Sequence, residues 1–138
     1  MMQNIARQTK NGSVVSLSEV ANQTKMSRRY LEQLAIDLKK ASLIKGAAGK
    51  RGGYVLSRSA EEIFMDEIVE SAIGPINIVK CVNQPDECMF AELCECRSVY
   101  DLINRKVTGV LSNISLADLA DNKRLKTVTA KLETEIST

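Results

Sequence analysis

Two short amphipathic segments, each opened by a capping serine and separated by a polar break, set the tightest limit on what this chain can fold into. Ser16-Leu17-Ser18-Glu19 has the spacing in which the serine hydroxyl bonds the amide three residues on while the glutamate reaches back. Leu17, Val20 and Ala21 then give a short helix its apolar face, and Asn22-Gln23-Thr24-Lys25 interrupts it. Ser27 caps a second helix, whose Leu31, Leu34, Ala35 and Leu38 fall at i, i+3, i+4 and i+7. Two helices across a tight polar turn predict a helix-turn-helix. The next segment changes period. Leu43-Ile44 and Tyr54-Val55-Leu56 are strand-like runs on either side of Gly46-Ala47-Ala48-Gly49-Lys50-Arg51-Gly52-Gly53, which reads as the tip of a β-hairpin wing carrying two cations. That glycine-rich loop matches neither a P-loop nor a dinucleotide fingerprint, and no helix opens after it.

Charge divides the chain along the same line. Residues 1–58 hold eleven of the nineteen Lys and Arg but three of the seventeen Asp and Glu, a net +8, whereas residues 59–138 carry −6. A basic half joined to an acidic half predicts that the former faces a polyanion. Ser27, Arg28, Arg29, Tyr30, Glu32 and Gln33 begin the expected recognition helix, where side chains meet the major groove. Arg28 and Arg29 suit phosphate or a guanine edge, Tyr30 suits stacking or phosphate, Glu32 accepts from cytosine and Gln33 addresses adenine. Lys50 and Arg51 supply phosphate contacts from the wing. The expected partner is double-stranded DNA.

Beyond the wing, Ser59-Ala60-Glu61-Glu62 has capping-box spacing and predicts a helix with Phe64, Ile68 and Ala72 on one stripe, ended by Gly74-Pro75. A cysteine-bearing loop spans roughly 76–96. A long amphipathic helix follows, carrying Val99, Leu102, Ile103, Val107, Val110, Leu111 and Ile114. So small a chain cannot cover that stripe, which predicts a homodimer built on residues 98–114. Ser115-Leu116-Ala117-Asp118 caps a short helix, and residues 122–138 read as a polar tail. The expected organisation is a winged helix-turn-helix over 1–58, an effector loop with dimerisation helices over 59–121, then the tail. The fold class is mainly α with a small β-hairpin wing.

All four cysteines, Cys81, Cys88, Cys94 and Cys96, lie within 16 residues. A cluster this dense in one loop points to metal binding rather than a disulfide framework, and soft thiolates suit zinc or an iron–sulfur cluster. The spacing fits neither a zinc ribbon nor a bacterial ferredoxin run, so it leaves the metal open. With no histidine and no C-x-x-C pair, a cysteine-based redox enzyme lacks its base and its motif; no catalytic residue is expected. No run of about 18 apolar residues could span a bilayer, and the start lacks the long apolar stretch of a secretory signal, so a cytoplasmic location is expected.

Several of these segments carry a family likeness. Tyr30-Leu31-Glu32-Gln33-Leu34, Lys40-Ala41-Ser42-Leu43-Ile44, Arg51-Gly52-Gly53-Tyr54 and Thr108-Gly109-Val110-Leu111-Ser112-Asn113-Ile114-Ser115-Leu116 resemble the Rrf-two family of winged-helix transcriptional regulators over roughly residues 3–122. The resemblance implies a dimeric DNA-binding regulator. In its IscR-like and NsrR-like iron–sulfur members it matches Cys81, Cys88 and Cys94 to three cluster ligands, with a [2Fe–2S] cluster implied by the IscR-like pattern. Three departures stand out. The first gap holds six residues rather than the usual five, Arg97 replaces the IscR-type histidine, and Met2–Ala6 matches only the closing turns of the family's first helix. Cys96, beside the vacant histidine position, is the fourth-ligand candidate, with Glu92 or Glu95 as substitutes. Direct thiol sensing of oxidants or nitric oxide and a protein-interaction adaptor on the same fold are the alternative readings.

Overall fold

The computed structural model describes residues 1–9, 13–49, 52–90 and 93–136. Helices α1 (Met2–Thr9), α2 (Leu17–Thr24) and α3 (Arg28–Lys40) precede the antiparallel strands β1 (Ile44–Ala47) and β2 (Gly53–Leu56). Then come α4 (Met65–Ile73), two 3-10 turns at Lys80–Val82 and Pro85–Glu87, α5 (Cys96–Leu111), α6 (Leu116–Ala120) and α7 (Asn122–Ile136). No described helix is long and apolar enough to cross a membrane.

The local signals of the first half fold as their chemistry dictates. The Ser16 hydroxyl accepts from the Glu19 amide at 3.2 Å, and the Glu19 carboxylate accepts from the Ser16 amide at 3.0 Å. The turn to α3 passes through Lys25 in the left-handed region, at φ 60°, and Ser27 caps α3 by accepting from the Tyr30 amide. Leu31, Ala35 and Leu38 of α3 are buried with Ile5 and Ala6 of α1, Val20 of α2, Leu43 and Ile44. Strand register pairs Ile44 with Leu56 and Ala47 with Gly53. The backbone of Val15 exchanges two hydrogen bonds with Tyr54, at 3.0 and 2.8 Å, adding a bridge to the free edge of β2. Gly53 permits that approach: a Cβ there would stand 2.4 Å from the Val15 carbonyl oxygen.

The second half enters the same core. Leu116 of α6 is fully buried within it, and its amide donates to the Ile63 carbonyl at 2.8 Å. Side chains of α1 close the end of α6: Gln3 donates to the Leu119 carbonyl and Arg7 to that of Ala120. Asp118 is buried at the start of α6, accepting from the Ser115 amide and hydroxyl at 3.0 and 2.6 Å and from Arg124 Nε at 2.9 Å. Burial alone would raise its pKa. The Ser115 and Arg124 hydrogen bonds, with the Arg124 charge, outweigh burial and hold the carboxyl below its ordinary value.

Three expectations differ from the fold. Ser59–Glu62 closes a turn, in which the Glu62 amide donates to the Ser59 carbonyl, and α4 begins later at Met65. The reason is long-range: Ile63 must be buried and must bond Leu116, which fixes extended backbone where the helix was expected. Phe64 and Ala72 stay exposed, and only Ile68 of that stripe packs on the core. Residues 122–136, expected as a polar tail, form α7, with Leu132 buried and Leu125 and Val128 half-buried on the same side.

Two consequences are measurable. Gly53→Ala should destabilise by about 1–3 kcal/mol, because a methyl against a carbonyl oxygen displaces the backbone; chemical denaturation of both proteins checks it. Because its native pKa is depressed, Asp118 lends stability that is present above the unfolded carboxyl pKa and lost as pH falls through the native one. The stability gap between wild type and Asp118→Asn should be flat above the ordinary carboxyl range and close as the pH falls below it, as pH-dependent denaturation would show.

Candidate nucleic-acid interface and cysteine loop

With Leu31, Ala35 and Leu38 turned inward, the opposite side of α3 presents Arg29, Gln33, Ile36 and Lys40, all exposed. No acidic residue occupies the first turn of α3, so the positive end of its dipole adds to Arg28 and Arg29. Among the described residues no side chain pairs with Arg29, which leaves that cation available to an external anion. Arg28 is held on one flank, with Nε donating to Glu32 Oε1 at 3.0 Å and a second nitrogen 3.4 Å from the Ser18 hydroxyl. Gln33 donates to Asp37 at 3.2 Å. These exposed pairs are weak enough to exchange for nucleic-acid partners. Ser27 serves as the helix cap.

Tyr30 sits apart from this row. It is exposed but lines a groove with Leu34 and Met65, between α3 and α4. Sequence reasoning also passed over Ile36 and Lys40, although their spacing of seven and eleven residues from Arg29 puts them on one helix face. An exposed isoleucine there suits a thymine methyl. Lys50 and Arg51 lie outside the described residues.

A buried amide ties the start of the cysteine loop to α5. Asn104, 7% exposed, accepts from the Ile78 amide at 3.0 Å through Oδ1 and donates to Asn77 Oδ1 at 3.1 Å through Nδ2. No sequence signal marks this anchor, because Asn104 is one of several polar residues on a helix that also carries Asp101, Arg105 and Lys106. Cys81 lies in the first 3-10 turn, Cys88 follows the second, Cys94 precedes α5 and Cys96 is its first residue. All four are free thiols; the first three are half-buried and Cys96 is exposed.

An iron–sulfur cluster needs three or four donors converging on one centre. Among the described residues no three Cys, Asp or Glu side chains gather to hold a metal ion. The donor types suit a cluster, but the loop as folded does not bring the four cysteines into a cage. Glu95 is exposed just before α5, and Glu92 lies outside the described residues.

Val99, Leu102, Ile103 and Val107 of α5 point to solvent, about half-exposed. The expected stripe is shorter than its sequence pattern. Ile114 is buried beyond the end of α5, where its carbonyl accepts from the Met65 amide, and Leu111 is half-buried.

Comparison with known proteins gives this arrangement its context. The profile of the Rrf2 family, described as an iron-dependent transcriptional regulator, matches residues 1–122. The transcriptional regulator IscR of Photorhabdus laumondii is 27% identical over 134 residues, spanning 97% of this chain and 80% of that protein. Among solved structures, CymR, the global cysteine regulator of B. subtilis, superposes with a TM-score of 0.69 at 31% identity over 86% of each chain. IscR of T. potens gives 0.64 at 30% identity, over 86% of this chain and 76% of the other. With its helix-turn-helix, its hairpin wing and a profile match over most of its length, the chain belongs to the Rrf2 family of DNA-binding transcriptional regulators.

Proposed function

We propose that this regulator is a homodimer that reads an operator with α3 and the wing, and whose affinity is switched through the thiols of the 76–96 loop. One observation carries the reading: the loop that bears every cysteine runs directly into a helix whose apolar side chains Val99, Leu102, Ile103 and Val107 stand exposed among the described residues. A change at the loop acts at the start of the dimer seam, and a two-fold dimer sets the distance between two recognition helices. Arg28 and Arg29 hold phosphate or a guanine edge, Glu32 and Gln33 select bases, Tyr30 supports the helix from its flank, and Lys50 and Arg51 anchor the wing on phosphate. The regulator acts in the cytoplasm, on the chromosome.

Two chemistries suit the loop. An iron–sulfur cluster, [2Fe–2S] by likeness to IscR, is supported by the soft donor set and by the family's description as iron-dependent. It would use Cys81, Cys88 and Cys94, with Cys96 as fourth ligand, once the loop draws them together. Reversible modification of the thiols themselves is favoured by four free, partly accessible cysteines that form no cage, and by the likeness to a cysteine regulator. Anaerobic purification with iron and sulfide assays separates the two. Bound iron lost in each of Cys81→Ala, Cys88→Ala and Cys94→Ala establishes the cluster; equal, negligible iron in all variants and wild type leaves thiol chemistry.

Operator affinity should fall steeply with salt, with a log–log slope of about −4 or steeper; a flat response in fluorescence anisotropy overturns the interface. Lys50→Ala or Arg51→Ala should weaken all sequences alike, whereas Glu32→Ala should relax base preference by about 1–3 kcal/mol at one position. Ile103→Asp should give a monomer by sedimentation at micromolar concentration, since it places a charge in the seam; a dimer unaffected by it removes α5 as the interface.

A further inference from the structure

Both carboxylates of the recognition helix, Glu32 and Asp37, are held by neighbouring side chains. Asp37 takes the Gln33 amide at 3.2 Å and the Lys40 ammonium at 3.6 Å. Glu32 stands further out, and its partner among the described residues is Arg28, whose Nε donates to Oε1 at 3.0 Å. The two side chains of that pair are 67% and 53% exposed. A second nitrogen of Arg28, Nη1, lies 3.4 Å from the Ser18 hydroxyl in the first turn of α2. Among the described residues no hydrogen bond occupies Glu32 Oε2 or Arg28 Nη2.

Helix stability does not account for this pair. Arg28 is the first residue of α3, so its charge sits at the positive end of the helix dipole. The cation also precedes the carboxylate, the less favourable order for residues four apart, and exposure to water weakens the attraction further. Against DNA the pair has a use. Glu32 lies near the end of α3 that enters a major groove, and a lone carboxylate there is repelled by the flanking phosphates. Arg28 cancels that charge. It also orients the carboxylate: with Oε1 taken, Oε2 remains as an acceptor. The major-groove edge of a G·C pair has the complementary pattern, with guanine N7 and O6 accepting and cytosine N4 donating beside them. A guanidinium joined to a carboxylate places donors next to an acceptor in the same way.

We infer that Arg28 and Glu32 read one C·G base pair as a single unit, in which Arg28 holds Glu32 as the acceptor for the cytosine amino group. The inference deepens the α3 interface proposed above and rests on it. On docking, Nε stays on Oε1 and the long contact to Ser18 is given up. The freed guanidinium nitrogen turns to guanine O6 or N7, while Oε2 takes the cytosine N4 hydrogen. Exclusion of water from the groove strengthens the ion pair it encloses. Two independent contacts would give losses that add on mutation, whereas one unit gives losses that do not.

The test uses the full-length wild type, Arg28→Ala, Glu32→Ala and the double variant. The wild type selects duplexes from a random-sequence pool, and all four proteins are titrated by fluorescence anisotropy on the selected consensus and its single base-pair variants. The wild type should prefer C·G at one position by about fivefold or more. Each single variant should lose that preference to within about twofold, and the double variant should lose no more. On an unrelated duplex, Arg28→Ala should bind about threefold or more weaker than the double variant, because deleting Glu32 then removes an unpaired carboxylate facing phosphate. A C·G preference kept in Arg28→Ala, with every sequence weakened alike, makes Arg28 a phosphate contact and overturns the unit while leaving the α3 interface standing. Losses that add in the double variant overturn it too. A wild type whose binding to every duplex is insensitive to salt overturns the interface, and the unit with it.

Discussion

Helix α5 turns its polar side towards its own chain and its apolar side to water, and the rest of the molecule is arranged around that inversion. Asn104 on the inner side holds the backbone of the loop. Ser112 donates to Asp66 of α4 at 2.6 Å, tying the end of α5 to the start of α4. Directional bonds therefore fix the helix in place, while Val99, Leu102, Ile103 and Val107 stay uncovered. A helix held by hydrogen bonds on one side and left apolar on the other offers the surface on which the proposed dimer is built.

The two halves of the chain are joined tightly enough to pass on what happens at that seam. Leu116 lies in the core beneath the helix-turn-helix, and α1 caps α6 through Gln3 and Arg7. Arg58, just after β2, pairs with Glu67 of α4, so the base of the wing is tied to the second half as well. Arg124 of α7 binds Asp118 and approaches Glu61 at 3.5 Å, closing the linker between wing and α4 from the other side. Both ends of that linker are clamped and α4 packs on α3, so in the proposed switch a displacement of α4 would carry to the recognition helix.

Legibility in the sequence followed the range of the interactions. The helix-turn-helix was readable because Ser16, Glu19 and Ser27 act within three residues of themselves and Leu31, Ala35 and Leu38 repeat at the helical period. The hairpin was readable from its glycines, but the specific need for Gly53 was not, because the carbonyl it makes room for belongs to Val15. Ser59–Glu62 misled for the same reason: its spacing suits a helix start, and a bond between Ile63 and Leu116 overrides it. Helix α7 was hidden by its polarity, with Leu125, Val128 and Leu132 too sparse to stand out among charged neighbours. Tyr30, read from the sequence as a nucleic-acid contact, is exposed at the edge of the groove between α3 and α4, a position no local spacing gives. The cysteines were conspicuous as a set, yet their arrangement depends on turns that no local spacing fixes.

The central claim is that the state of the cysteine loop sets operator affinity through the dimer. It is tested most directly by titrating one operator duplex with the same preparation in two states, with the loop thiols free and with them fully engaged by cluster or modification. The account predicts dissociation constants differing by about tenfold or more, about 1.4 kcal/mol, with the difference abolished in Cys81→Ala. Equal constants in the two states, from a protein that is dimeric in both, would contradict it.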